Sequence, residues 1–93
     1  MNFAPPDTDQ DYLTQLGARV WAARKNRRMS RQVLSVASGV SVRYLAQLET
    51  GTGNASILVL RQIAEAMGVE IEDLVSATGP DALGLMAAIR HST

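Results

Sequence analysis

The chain has 93 residues, enough for one domain, with aromatic side chains confined to Phe3, Tyr12, Trp21 and Tyr44. It has no cysteine, which excludes a disulfide scaffold or a thiolate metal site and fits a reducing, cytoplasmic setting. No apolar run approaches the roughly eighteen residues a membrane span needs, and the formal net charge is zero.

That zero conceals a polarised chain. Between Tyr12 and Leu48 stand seven basic residues, Arg19, Arg24, Lys25, Arg27, Arg28, Arg31 and Arg43, and no acid. Residues 1–11 hold three acids, and residues 49–93 hold six against Arg61 and Arg90. A basic run is in most chains only a solvated face. Here a motif falls inside it.

Residues 1–8 read as a disordered lead, because Pro5 and Pro6 oppose a helix and no positively charged signal-peptide start is present. The first helix is expected from about Asp9 to Asn26, capped by Thr8 or Asp9, with Leu13, Leu16, Val20 and Ala23 as its apolar stripe. Ser30 caps a second helix over Arg31–Ser38 with Leu34 and Ala37 facing inward, and Gly39 ends it. Val40 is a buried turn residue. Ser41 caps a third helix from Val42 to about Thr50, with Leu45 and Leu48 inward and Gly51 and Gly53 stopping it. Ser56 caps a fourth helix, Ile57–Met67, which Gly68 terminates. A fifth is expected over about Ile71–Ala77. After Thr78-Gly79, Pro80 suits the start of a sixth over Asp81 to about His91, with Leu83, Leu85, Met86 and Ile89 as a surface for dimer contact or for packing on its own core. No strand pattern and no internal repeat is visible. The fold class is therefore all-α: a compact five-helix domain at 9–78 with an additional C-terminal helix at 79–93.

The run Leu34-Ser35-Val36-Ala37-Ser38-Gly39-Val40-Ser41 satisfies three demands of a helix-turn-helix: a glycine at the sharp turn, an apolar residue pinning it, and a hydroxyl capping the next helix. Met29 to Gly53, MSRQVLSVASGVSVRYLAQLETGTG, resembles the DNA-binding domain of the XRE family, the lambda-repressor and Cro group. The likeness runs from Leu16 to about Val75 and joins the LGARV start, Arg24, the Gly39 turn, Leu48-Glu49 and the ending Met67-Gly68-Val69. A narrower likeness, carried by Tyr44–Glu49 with Gly53-Asn54 and Ser56-Ile57, is to benzoyl-CoA-responsive regulators that carry a shikimate-kinase-like domain. This chain shows no phosphate-binding glycine loop, so on that likeness it would be an N-terminal fragment or a stand-alone relative.

The resemblance implies that the third helix enters the major groove of double-stranded DNA. Val42, Arg43, Ala46 and Gln47 are the expected base-contacting set: Arg can pair with guanine, Gln with adenine, and Val or Ala can touch a thymine methyl. For Arg43 a phosphate contact is the alternative, and for Gln47 a solvent-facing side chain. Phosphate contacts are expected from Arg31, Gln32, Ser41, Tyr44, Asn54 and Ser56, with packing as the other role for Tyr44. Arg27 and Arg28 are expected to strengthen the general field. The family pattern pairs Arg24 with Glu49, and a carboxylate at a helix C-terminus is unfavourable without such a partner. Trp21 departs from the family's polar preference; its ring either covers the edge of the core or meets DNA backbone or a partner chain.

A symmetric homodimer on an inverted repeat is the expected assembly. With roughly six phosphates neutralised per dimer, the salt slope would be about −5. No cofactor and no metal are expected, and no enzyme activity: the single histidine is His91, and Glu70, Glu72 and Asp73 suit a solvated helix start. The rival reading is an antitoxin or other protein-interaction module of this fold, with a toxin or an effector as partner.

Overall fold

The computed structural model describes residues 8–76. They form five helices: α1 (Asp9–Asn26), α2 (Arg31–Ser38), α3 (Val42–Glu49), α4 (Ile57–Met67) and α5 (Ile71–Val75). No strand occurs among the described residues. The N-terminal lead before Thr8 and the expected sixth helix lie outside them.

Local chemistry sets the helix starts. The hydroxyls of Thr8, Ser30, Ser41 and Ser56 accept from backbone N–H groups in the first turns of α1 to α4. Each satisfies a donor that has no partner within its own helix, worth about 1 kcal/mol. Between α2 and α3 the backbone reverses at Gly39 (φ 80°), whose N–H donates to Ser35 O at 2.8 Å. A Cβ there would meet nothing within 4 Å, so the demand for glycine comes from the left-handed backbone and not from crowding.

One core joins the five helices. Leu16 and Val20 of α1 meet Leu34 of α2, Val40 of the turn, Leu45 and Leu48 of α3, Leu60, Ile63, Ala64 and Met67 of α4, and Leu74 of α5. Each fully buried Leu or Ile contributes about 1.5–3 kcal/mol relative to an exposed one. α1 packs on α3 and α5, and α4 packs on α2 and α5.

Three expectations change. Ala37 is exposed. The inward side of α2 runs through Arg31, Leu34, Ser35 and Ser38, because two of its polar side chains find partners there: Arg31 Nε donates to Glu49, and Ser38 Oγ donates to Leu34 O at 2.6 Å. The fifth helix stops at Val75, two residues earlier than expected. Its last carbonyls are taken by α1: Arg19 donates to Leu74 O and the Tyr12 hydroxyl to Val75 O. Trp21 does not cover the core edge. It is 48% exposed and absent from the side chains packed on the core, because Leu16, Val20 and Ala23 define the inward face of α1 and position 21 lies off it.

Candidate nucleic-acid interface

The third helix is held at one end and bare at the other. At its C-terminal end, Arg24 Nε donates to Glu49 Oε2 at 2.6 Å and Arg24 Nη2 to Oε1 at 2.9 Å. Both residues are buried. Arg31 Nε adds a third bond to Oε1 at 3.0 Å, and Arg24 Nη1 donates to Met29 O at 2.9 Å. One carboxylate thus ties together α1, α2 and α3. The hydrogen bond to Glu49 is the main reason the Arg24 guanidinium is held above its ordinary pKa, against the opposing effect of burial. A raised pKa stabilises the fold below the ordinary arginine range and is lost only as pH rises beyond it, so the pair is intact throughout neutral conditions.

Backbone contact reinforces this anchor. A Cβ on Gly17 would stand 2.3 Å from Leu48 O and 2.6 Å from Glu49 O. Only glycine lets α1 approach the last turn of α3 so closely.

At the N-terminal end, Ser41 Oγ accepts from Tyr44 N at 3.0 Å, which leaves the hydroxyl proton free to donate. Val42 is 40% exposed, Arg43 and Gln47 are exposed, and Ala46 is half-buried. The side chains of Arg43 and Gln47 make no hydrogen bond or ion pair among the described residues. The sequence-derived base-contacting set therefore lies together at the open end of α3, at positions one and four residues apart.

The turn from α3 to α4 forms the second border. Tyr44 is half-buried; its hydroxyl donates to Asn54 O at 3.0 Å and accepts from Ser56 N at 3.1 Å. That hydroxyl has a single proton, already committed, so Tyr44 is placed to hold the turn and has no donor left for a phosphate. Ser56 Oγ accepts from Leu58 N and Val59 N and keeps its own proton available. Asn54 and Ser56 are both exposed, as is Gln32 at the start of α2. Arg31, expected at phosphate, has its Nε on Glu49, and only its Nη groups are uncommitted among the described residues.

The seven cations of the basic run are thereby sorted. Arg24 and Arg31 share Glu49. Arg19 serves the end of α5, and Arg27 donates to Met67 O and Gly68 O at the end of α4, where a cation meets the negative pole of the helix. Arg27 keeps its charge there, because backbone carbonyls do not neutralise it. Lys25, Arg28 and Arg43 have no anionic partner among the described residues, and Lys25 Nζ lies 5.7 Å from the centre of the Trp21 ring. Sequence reasoning missed these terminal caps. Their only signal was a basic residue near a helix end, which does not reveal whose end it serves.

Known proteins share this fold. A helix-turn-helix family model matches residues 22–74. An HTH-type transcriptional regulator of Sinorhizobium fredii, y4dJ, is 29% identical over 74 residues, covering 80% of this chain and 96% of its own. The structure of the restriction-modification controller protein C.AhdI from Aeromonas hydrophila superposes with a TM-score of 0.65 at 27% identity, over 67% of this chain and 94% of that one. The clp gene regulator ClgR from Corynebacterium glutamicum gives 0.66 at 29% identity, over 81% and 92%. No described helix is long and apolar enough to cross a membrane. With the Gly39 turn, the capped α3 and the Arg24–Glu49 anchor in place, the chain belongs to the XRE-type helix-turn-helix family of DNA-binding transcriptional regulators.

Proposed function

We propose that the chain is a sequence-specific regulator that binds double-stranded DNA as a homodimer on an inverted repeat, with α3 in the major groove. The observation that carries this is the open end of α3, where Arg43 and Gln47 are exposed and uncommitted while the other end is locked to α1. Arg43 and Gln47 read bases, with Val42 and Ala46 against thymine methyls. Gln32, Ser41, Asn54 and Ser56 hold phosphates, joined by the Nη groups of Arg31. Residues 9–78 act as the DNA-binding domain, and 79–93 supply dimer contact or a linker.

Selection of bound sequences from a random duplex library, at low and moderate salt, tests this reading. The expected result is an enriched inverted repeat that is lost in a folded Arg43→Ala, Gln47→Ala variant. Salt-sensitive binding without enrichment would reject sequence reading.

A second reading rests on a different observation. Val33 and Val36 are 53% and 87% exposed on the outer side of α2, and Ile57 and Leu58 are 63% and 65% exposed at the start of α4. Apolar side chains bared in this way suit a protein partner, as an antitoxin-type module would need. The same selection rejects a pure protein-binding module if a duplex is enriched. An antitoxin that also binds its own promoter would enrich one too, and is distinguished by loss of a protein partner in a Val33→Ser, Val36→Ser variant that still binds the duplex.

A further inference from the structure

A helix buried on one side needs one apolar stripe, and α1 has two. Leu16, Val20 and Ala23 face the core. Ala18, Trp21 and Ala22, at helical spacing on another side, are exposed. With Val69 before α5 and Leu74 within it, they line a groove of about 810 Å³ between α1 and α5. Two alanines beside one large, half-exposed ring leave room for a further element to approach closely.

The described residues end at this groove. Arg27 donates to Met67 O and Gly68 O just before α5, while Arg19 and Tyr12 donate to its last carbonyls, so α5 runs antiparallel to α1. Ser76, the last described residue, stands two positions beyond Leu74 in the groove lining. A segment that reverses after Ser76 therefore returns along α1 towards Asn26.

The sequence supplies the reversal and a matching face. Gly79-Pro80 interrupts the chain. On a helix opened by Pro80, the side chains of Ala82, Leu85, Met86 and Ile89 fall on one side. Residues 77–79 reach about 10 Å when extended. Residues 80–91 as a helix span about 18 Å, against about 12 Å for α1 from Ala18 to Asn26. At the Asn26 end the lining includes Lys25, which has no anionic partner among the described residues and suits the negative pole of such a helix.

We infer that this groove is the docking site of the chain's own residues 80–91, which lie along α1 as a helix with Ala82, Leu85, Met86 and Ile89 against Ala18, Trp21 and Ala22. Docking within one chain is favoured over capture of a second copy, because a short tether gives an effective concentration on the order of millimolar. The inference is independent of the DNA-binding reading. It leaves Leu83 on another side of the helix for the proposed dimer contact.

The test uses the full chain, which has no cysteine and a single tryptophan, so introduced thiols and Trp21 emission report without interference. In an Ala22→Cys, Met86→Cys variant, mild oxidation should give an intramolecular disulfide, seen on a non-reducing gel as a faster-migrating monomer that reverts on reduction. Ala22→Arg changes a side chain that is exposed on the described surface, so it spares the core and obstructs only the groove. Leu85→Asp, Ile89→Asp alters only the docking face. Each of these two variants should shift Trp21 emission to longer wavelength, and their combination should shift it no further. The emission of the unaltered chain should not depend on protein concentration. Absence of the intramolecular disulfide, with Trp21 emission at the same wavelength in the unaltered chain and both variants, would overturn the inference. A disulfide that joins two chains, with emission that shifts on dilution, would also overturn it and assign the groove to a second copy. Neither readout involves DNA, so failure of the regulator reading leaves the result unaffected.

Discussion

At the C-terminal end of α3, a carboxylate is buried under two guanidiniums and the backbone lies directly against Gly17. At the N-terminal end, eight residues away or fewer, Arg43 and Gln47 project without partners. The first arrangement costs desolvation that a simple apolar contact would avoid. What it provides is geometric: three helices are fastened to one side chain, so the exposed end is carried at a defined angle. On the proposed DNA-binding reading, the groups at that end lose less freedom on association when the element carrying them is already rigid. The anchoring contacts and the uncommitted side chains are thus separated along a single helix of eight residues.

That separation can be broken most severely at Glu49. Glu49→Ala strands Arg24 without its buried partner and should cost about 3–5 kcal/mol in denaturant unfolding. If the loss were no larger than for a surface residue, the anchor would be ornamental. Gly17→Ala attacks the same end by steric means, since its Cβ cannot coexist with Leu48 O. A loss of about 1–3 kcal/mol is expected, with a lowered melting temperature.

The opposite end should respond in the opposite way. Arg43→Ala is expected to leave stability within about 0.5 kcal/mol of the parent while removing about 1–3 kcal/mol of discrimination between the preferred duplex and a single-base variant. A comparable loss on every sequence would instead assign Arg43 to a phosphate. Tyr44→Phe lies between the two ends. It deletes two hydrogen bonds to the α3–α4 turn, and about 1 kcal/mol of stability should go, with a modest drop in DNA affinity from a looser turn. Gly39→Ala should cost a similar amount of stability, about 1 kcal/mol, with no direct effect on DNA affinity, because the added methyl meets no neighbour and only the left-handed backbone is strained.

Much of this organisation was legible in the residues. Ser30, Ser41 and Ser56 mark helix starts because a side-chain oxygen serves a donor two or three residues away. Gly39 marks the turn because its conformation is a local property. The apolar stripe of α1 follows from helical periodicity, and the grouping of Val42, Arg43, Ala46 and Gln47 follows from positions on one short helix. Each of these rests on interactions among residues close together in the chain.

The fate of the seven cations was decided elsewhere. Nothing local distinguishes Arg27, which closes α4 forty residues away, from Arg28 beside it, which has no partner among the described residues. Arg31 reads as wholly uncommitted until α2 is packed on α3 and its Nε meets Glu49, which leaves only its Nη groups without a partner among the described residues. The Tyr44 hydroxyl reads as available until the turn folds back and takes its proton. Sequence by itself determined where the helices begin, where the chain reverses and which residues ride on α3, because backbone geometry and capping act over a few residues. Tertiary structure alone decided which charges are spent inside the protein and which remain for a ligand, because charges pair through space across whichever helices packing brings together.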